Sequence, residues 1–488
     1  MTAPRLTVEE VRLHERAVVL RLPFRFGVVT LTEAPQAFVR VRIRLPDGSD
    51  HWGLAAELMV PKWFDKDASF TNEQNFDQLR LALGLYRDAI LANGAATAFC
   101  HFAGLYRAHL DAGRASGLNP LAAGFGPALI DRAVMDALCR ARRLSFAAAM
   151  RADLAAIAPT AVAEGFGGFG MKGFLADLVP AAGIHARHTV GMVDPLTAAD
   201  QPAGARVGDG LPETLEEVIA TYGHRFFKLK LRGERDADLD RLTAIAAVLD
   251  RASDPYFVTL DGNEQYDDAA GVLDLLDAAA AEPRLERLMD SILFVEQPIH
   301  RAAALATDVR ALAQRLPVII DESDAELSSF EDARARGYSG VSSKNCKGFY
   351  KSLINLARCR MWSRAGAPAY FMSAEDLTCQ AGVAVQQDLA LVALLGLSHV
   401  ERNGHHYVNG MAGASEAEQQ RFLDAHPGLY HRVDGRVSLA IRDGAIDLRS
   451  LACTGFGTAA EPDWDAMGAM AVPDSNQTRI QAKETKNG

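Results

Sequence analysis

Hydrophobic and polar positions follow one period at the start of the chain and another further on. Up to about residue 65 apolar and polar residues alternate, most clearly in FVRVRIRL within Ala37–Leu45, and Val18–Leu22 is also strand-like. From Asn72 to about Ala155 the apolar residues recur at helical spacing. Strands followed by helices predict an α+β domain over residues 1–160. Residues 161–184, rich in glycine, alanine and phenylalanine, are interpreted as a linker or insertion.

A strand–helix rhythm occupies the next part of the chain, residues 185–460. Eight short apolar runs alternate with helical stretches, and the runs are HTVGMVD, FFKLKL, YFVTLDGN, ILFVEQPI, PVIIDESD, GVSSKNCK, AYFMSAED and SHVERNG. This number of alternating units predicts an α/β fold with a closed parallel barrel. A doubly wound open sheet is the alternative, but such a sheet rarely has so many units without a phosphate-binding loop. The polar segment 473–488 is expected to be mobile, with part of the C-terminus returning to the first domain.

Charge and composition narrow the partners that we expect. The 488-residue chain has a formal net charge of −11, which argues against nucleic acid or an anionic membrane as a partner. No apolar run approaches the roughly 18 residues of a membrane-spanning helix, and the N-terminus lacks a secretory signal core. Six cysteines lie scattered without a CxxC pair, as in reduced proteins. We therefore expect a cytoplasmic enzyme that acts on a small-molecule substrate and assembles as a homo-oligomer.

Carboxylates follow three consecutive predicted strands of the barrel. Asp261 and Asn263 end the third strand, Glu296 ends the fourth, and Asp321 and Glu322 end the fifth. The C-terminal strand ends of a parallel barrel form its active-site face, so these acids should meet there. One such acid alone would be read as a helix cap or an ion pair, but three adjacent carboxylates need a cation. Oxygen ligands favour Mg²⁺, with Mn²⁺ as a substitute.

Asp321 and Glu322 are successive residues, so we expect only one of them to point into the barrel.

Lysines follow a second pattern in the same barrel. Lys228 and Lys230 in FFKLKL share one strand face, and two inward lysines beside a cation should lower a lysine pKa toward that of a general base. A basic edge strand is the alternative interpretation. On the sixth strand we choose Lys344 over Lys347, which falls in the loop.

The order of these motifs resembles one protein family. KxK, DxN, EQP, DES and a sixth-strand lysine are similar to the muconate-lactonizing branch of the enolase superfamily, within its muconate-lactonizing enzyme and mandelate racemase group. LRLPFRFG and the helix ALIDRAVMDALCRA resemble the capping domain of that group and the helix that leads into its barrel. The racemase branch is less similar, because it places a histidine on the seventh strand, which here reads AYFMSAED.

The resemblance implies a (β/α)7β TIM-like barrel with an N-terminal α+β capping domain. It also implies roles for six residues. Asp261, Glu296 and Asp321 would be the Mg²⁺ ligands, Lys230 and Lys344 the two acid/base groups, and Lys228 a residue that tunes Lys230. Further residues are candidates for substrate binding, with surface or structural roles as the alternative: Arg25 on the capping loop, Asn263, Glu322, His300, Glu375 and Glu401, beside Asp376 and His405.

These residues predict removal of the proton on the carbon beside a substrate carboxylate, through an enediolate intermediate. Racemisation, epimerisation or cycloisomerisation would follow, in an isomerase or lyase. A dehydratase of sugar acids or related hydroxy acids in the same superfamily is one alternative. An inactive barrel that only binds a carboxylate is another. Serine-hydrolase chemistry has no support, since the sequence has no GxSxG motif.

Overall fold

The computed structural model describes residues 2–26, 29–363, 369–377 and 379–474 of the chain. Its strands are β1 (Thr7–Phe26), β2 (Val29–Arg44), β3 (Asp50–Leu58), β4 (Gly183–Val190), β5 (Phe226–Lys230), β6 (Phe257–Asp261), β7 (Ile292–Glu296), β8 (Val318–Ile320), β9 (Gly340–Ser343), β10 (Phe371–Ala374), β11 (His399–Glu401), β12 (Tyr430–Val433), β13 (Arg436–Leu439), β14 (Ala445–Asp447) and β15 (Gly468–Ala469).

Helices connect most of these strands. The α-helices are α1 (Asn72–Ala92), α2 (Ala98–Ala115), α3 (Pro120–Ala123), α4 (Phe125–Arg142), α5 (Phe146–Arg151), α6 (Met171–Ala176), α7 (Leu215–Tyr222), α8 (Arg235–Leu249), α9 (Ala269–Ala280), α10 (Glu286–Asp290), α11 (Arg301–Ala304), α12 (Arg310–Ala313), α13 (Ser329–Ala335), α14 (Phe349–Trp362), α15 (Val383–Leu395), α16 (Gly404–Tyr407) and α17 (Glu416–Ala425). Short 3-10 helices lie at Pro159–Ala161, Ala198–Asp200, Pro283–Leu285, Asn345–Lys347, Arg449–Ala452 and Trp464–Ala466.

The N-terminal part is an antiparallel sheet covered by helices. The sheet order is β15-β1-β2-β3. The alternation in β2 places Val39 and Val41 in the core, while Arg40 and Arg42 on the other face are only partly buried. Helix α4 lies directly against β3, since a Cβ on Gly53 would come within 2.2 Å of the Ala133 carbonyl oxygen. The close approach of helix and sheet thus requires glycine at this position.

The second part is a parallel barrel, as predicted. Eight strands run in the hydrogen-bonded order β10-β9-β8-β7-β6-β5-β4-β11, and every pair in this series is parallel. The end strands β10 and β11 meet through the residues that follow them. The Asp376 amide donates to Glu401 Oε2 over 3.0 Å, and the Asn403 amide donates to Asp376 Oδ2 over 2.6 Å. Helical connections separate all eight strands, which confirms the (β/α)7β barrel with its capping domain.

The end of the chain returns to the N-terminal sheet. His14 and Glu15 of β1 pair antiparallel with β15, and the Phe456 amide donates to Asp136 Oδ1 of α4 over 2.6 Å. Barrel strand β4 begins at Gly183. The domain boundaries predicted at residues 160, 184 and 460 stay predictions. Most of the segment 473–488, predicted to be mobile, lies outside the described residues. None of the described helices has the length and apolar character needed to cross a membrane.

Candidate active site

The register of the barrel strands places the predicted catalytic and metal-binding residues at matching positions on neighbouring strands. Lys230 lies opposite Asp261, which lies opposite Glu296 on the next strand, and Glu296 lies opposite Ile319, two residues before Asp321. These residues stand at the C-terminal ends of β5 to β8, where apolar strand residues give way to polar ones. Lys230 and Asp321 line a cavity of about 30 Å³ together with residues of the capping domain, whereas Asp261 and Glu296 are not among the lining residues. The parallel topology therefore brings residues from distant parts of the sequence into one buried site.

The two lysines of β5 point to the same side of the strand. Lys230 Nζ donates to Asp261 Oδ2 over 2.6 Å, and Lys228 Nζ lies 2.9 Å from the same oxygen. Leu229 between them is buried on the opposite face. One carboxylate oxygen thus holds both ammonium groups, which agrees with the predicted i, i+2 geometry of the KxK motif.

Lys228 is the cation shared by most acids of the site. Its ammonium group lies 2.8 Å from Glu296 Oε1, 3.0 Å from Glu375 Oε2 and 3.3 Å from Glu401 Oε2. Burial opposes its charge, but Asp261 and these acids outweigh burial and raise the pKa of Lys228 well above its usual value. The lowered lysine pKa expected beside a bound divalent cation stays a prediction. The carboxylates outnumber the ammonium groups near Lys228.

Glu296 shows why this site fits a further cation. The residue is fully buried, and its Oε2 has no hydrogen-bond partner among the described residues. Burial, followed by the charges of Asp261 and Glu375, raises the pKa of Glu296 well above its usual value. A carboxylate oxygen that is buried without a donor is a suitable ligand for Mg²⁺ or Mn²⁺. Asp261 and Asp321 on the flanking strands would complete the oxygen ligands.

The three carboxylates are spread more widely than the ligands of one bound ion. Among the described residues, only a histidine group elsewhere has three candidate ligand atoms that all lie within 4.8 Å of one another. Lys228 Nζ lies between Asp261 and Glu296, and Lys344 Nζ is 2.5 Å from Asp321 Oδ2. Ammonium groups thus take positions next to the oxygens that a divalent cation would bind. Binding of the ion would require these side chains to exchange partners.

Asp321 binds lysines from the sixth-strand segment. Burial disfavours its charge, but Lys344 and then Lys347 lower the pKa of Asp321 strongly. Lys347 Nζ lies 3.2 Å from Asp321 Oδ1 and donates to the Ser342 carbonyl over 2.8 Å. Lys347 lies in the loop after β9, as expected, and is not among the residues that line the cavity, but its ammonium group reaches Asp321. The 3-10 turn Asn345–Lys347 folds its side chain back beneath Asp321.

Asp321 and Glu322 both line the cavity, so the expectation that only one of them faces inward is wrong. Strand β8 ends at Ile320, and strand alternation no longer applies to the residues after it. Gln297 helps to hold this turn, since its Oε1 accepts from the amides of Asp321 over 2.8 Å and Ser323 over 3.1 Å. Burial and the charge of Asp321 raise the pKa of Glu322 to about 7.

The candidates for substrate binding divide into four groups by location. Asn263 and Glu401 line the cavity, and Asn263 Oδ1 has no partner among the described residues. Glu375 is buried beside the cavity and forms an ion pair with Arg187, whose guanidinium lies 2.5 Å from Glu375 Oε1. Arg25 and His300 are exposed and are not among the residues that line the cavity. His300 Nδ1 accepts from the Ala302 amide at the start of α11. His405 and Asp376 line a second cavity, and Asp376 also lines the cavity at the barrel mouth.

Comparison with known proteins assigns the family. A family model described as "Enolase C-terminal domain-like" matches residues 210–464, just over half of the chain. The chain belongs to the enolase superfamily. No curated protein sequence matches it. Among solved structures, this superfamily member is similar in fold to a muconate lactonizing enzyme from Mycobacterium smegmatis in complex with muconolactone, with 20% identity, a TM-score of 0.55, and coverage of 94% of this chain and 98% of that one.

Two further structures have the same fold as the enolase-superfamily chain. A dipeptide epimerase from Enterococcus faecalis, in complex with Mg and the dipeptide L-Leu-L-Tyr, has 15% identity and a TM-score of 0.58 over 92% of this chain and 99% of that one. A 2-chloromuconate cycloisomerase from Rhodococcus opacus has 16% identity and a TM-score of 0.57 over 94% of this chain and 98% of that one. At these identities the likeness shows the fold alone.

The capping domain of this superfamily member supplies site residues that the sequence analysis missed. Trp63, Phe24 and Val60 cover the cavity opposite the barrel, and the Trp63 ring lies 4.4 Å from Lys344 Nζ. Lys66 forms an ion pair with the buried Glu264 after β6 and so joins the cap to the barrel mouth. For Trp63 the aromatic PKWF segment was the only signal, and an aromatic segment alone does not reveal what it covers. Phe24 lies within LRLPFRFG, the segment that resembles the capping domain.

Proposed function

We propose that this enolase-superfamily chain removes the proton from the carbon beside the carboxylate of a small-molecule substrate. The observation that carries the proposal is the placement of two lysines around one enclosed cavity. Lys230 on β5 and Lys344 after β9 both line it, and each is bound to a different carboxylate. A substrate carbon between them could lose a proton on one face and receive one on the other.

The carboxylates at the ends of β6, β7 and β8 support metal dependence. Asp261, Glu296 and Asp321 would hold Mg²⁺, or Mn²⁺ in its place, and the bound ion would supply positive charge beside the substrate carboxylate. Lys228 would remain in contact with Glu375 and Glu401 and so keep their charges balanced. Trp63 and Phe24 from the cap would exclude water from the reacting carbon.

The residues of the cavity support an isomerase more directly than a hydrolase. No step in the proposal needs a nucleophilic serine, cysteine or water, because two lysines can move a proton between the faces of one carbon. Reprotonation by the second lysine gives racemisation or epimerisation. Closure or opening of a ring at the same enediolate gives cycloisomerisation. The fold is shared by an epimerase and a cycloisomerase, which agrees with either outcome.

Proton exchange with solvent tests the proposal without knowledge of the product. Carboxylic acids with an α-proton would be incubated with the protein in deuterated water and examined by NMR for deuterium at that carbon. We expect exchange with at least one acid, its loss in chelator, and its return with Mg²⁺ or Mn²⁺. Glu296→Gln should lose metal binding and exchange together, whereas Glu282→Gln, at a partly exposed position in the connection between β6 and β7, should keep both. Full activity in chelator together with no metal binding by the wild type would contradict the proposal.

A further inference from the structure

A group of buried histidines lies outside the barrel mouth. His188 is on β4, His224 lies just before β5, and His405 lies in α16 after the last barrel strand. One ring nitrogen from each residue lies within 4.8 Å of the other two. Arg187 and Thr189 on either side of His188 contact Glu375 and Glu401 inside the barrel, so His188 points to the outside of the strand. The histidine group and the proposed active site are therefore on opposite sides of the barrel wall.

Two of the three distances between the ring nitrogens match the spacing of metal ligands, and the third is within 4.8 Å. His405 Nε2 lies 3.2 Å from His188 Nδ1 and 3.2 Å from His224 Nε2. Two nitrogens of a tetrahedral zinc site, each about 2.0–2.1 Å from the ion, are about 3.3 Å apart. All three rings are buried, and burial lowers the pKa of His224 to about 4 and the pKa values of His188 and His405 well below their usual range. They are therefore neutral at pH 7, the form that binds metals.

Hydrogen bonding alone satisfies this arrangement poorly. His224 Nδ1 is 3.0 Å from the Ala186 carbonyl, so its hydrogen lies on Nδ1 and its Nε2 carries a lone pair. A single hydrogen on His405 Nε2 would have to be shared between His224 and His188. If His188 donates instead, two bare nitrogens face each other at 3.2 Å. A cation would accept all three lone pairs at once. A metal-bound histidine usually donates the hydrogen on its other ring nitrogen to a carbonyl or carboxylate, as His224 does to the Ala186 carbonyl.

We infer that His188, His224 and His405 form a second, structural metal site that binds Zn²⁺. Three imidazole nitrogens select zinc over magnesium, which prefers oxygen ligands. His405 and Tyr222 border a cavity of about 110 Å³, which has room for a water molecule as the fourth ligand. The ion ties together β4, the segment before β5 and α16, which are far apart in the sequence. It thereby fixes the segment after β11 against the outside of the barrel.

Metal analysis of the full-length chain tests this site separately from the proposed active site. Protein freed of metal with a chelator would be titrated with zinc chloride in excess magnesium chloride, and bound zinc measured by mass spectrometry. We expect one zinc per chain in the wild type, in Glu296→Gln and in the control His109→Gln, which alters a buried histidine of the cap. His405→Gln should weaken zinc binding by more than about 100-fold.

Zinc that is lost in Glu296→Gln but kept in His405→Gln would overturn the inference, as would a wild type that binds none. X-ray absorption of the zinc-loaded wild type provides a second measurement that does not depend on the folding of a variant. The expected spectrum has scattering from three imidazole rings. A shell of carboxylate oxygens alone would assign the zinc to the barrel mouth and overturn the site.

Discussion

Replacing Lys228 by methionine tests whether one ammonium group holds the acids of the barrel mouth together. Methionine keeps much of the side-chain volume but removes the charge. Lys228 is 1% exposed and lies within 3.3 Å of oxygens from Asp261, Glu296, Glu375 and Glu401. Removing one partner of a buried ion pair typically costs about 3–5 kcal/mol, because the remaining charge stays buried without compensation. We expect the free energy of unfolding of Lys228→Met to fall by about this amount in chelator.

The pH dependence of that loss provides an independent check. Without Lys228 the buried carboxylates, Glu296 first, have raised pKa values in the folded state and bind more protons there than in the unfolded state. The stability of the variant therefore decreases as the pH rises above the carboxylate values of the unfolded chain, near 4.5 for glutamate. The difference between Lys228→Met and wild type should be larger at pH 8 than at pH 5.5.

Urea denaturation followed by circular dichroism at both pH values measures these differences. The matched control is Arg315→Met, which removes the cation of an exposed ion pair with Asp277. Exposed pairs contribute about 0–1 kcal/mol, so this control should remain close to wild type at both pH values. A loss in Lys228→Met no larger than that of the control, or a loss that grows toward low pH, would refute the charge balance described for this site.

Three further predictions concern other parts of the protein. Burial lowers the pKa values of His224 and His406 to about 4, so the unfolded state binds more protons below pH 6.5 and stability should fall by up to about 3 kcal/mol per residue between pH 6.5 and 4. Equal urea midpoints at pH 7 and pH 5 would disagree with this. Trp63→Leu should slow proton exchange by Lys344 about 2- to 30-fold and Trp63→Phe by less, since a cation–π contact contributes about 0.5–2 kcal/mol; equal rates in both variants would exclude the contact. Limited proteolysis should cut first within the predicted linker 161–184 and leave the barrel intact, and stable fragments that divide the barrel would contradict those boundaries.

The barrel could be predicted from the sequence because its strands are buried on both faces and are punctuated by polar residues. Asp261 and Glu296 each end a short apolar run, and the parallel topology places all such ends on one side of the barrel. An acid at the end of a strand can be recognised from the neighbouring residues in the sequence, and its place on one side of the barrel follows from the topology. The i, i+2 spacing of Lys228 and Lys230 is local in the same sense.

Contacts made beyond the strand ends could not be predicted in this way. The turn after Ile320 brings both Asp321 and Glu322 inward, and the 3-10 turn after Lys344 returns Lys347 to Asp321. Neither turn follows the period of a strand or a helix. Trp63 reaches the site from another domain, so its place depends on how cap and barrel pack.

Stereospecific exchange tests the central claim, proton transfer by Lys230 and Lys344 from opposite faces of one carbon, most directly. Lys230→Ala and Lys344→Ala would be compared in deuterated water on both stereoisomers of an acid that the wild type exchanges. Loss of one general base typically slows a reaction about 10²- to 10⁴-fold. We predict that each variant loses turnover and retains deuterium exchange with one isomer only, the opposite isomer in each case. Lys172→Ala, at an exposed position in α6, should exchange both isomers like the wild type. Loss of the same isomer in both variants, or an equal loss in Lys172→Ala, would contradict the two-lysine mechanism.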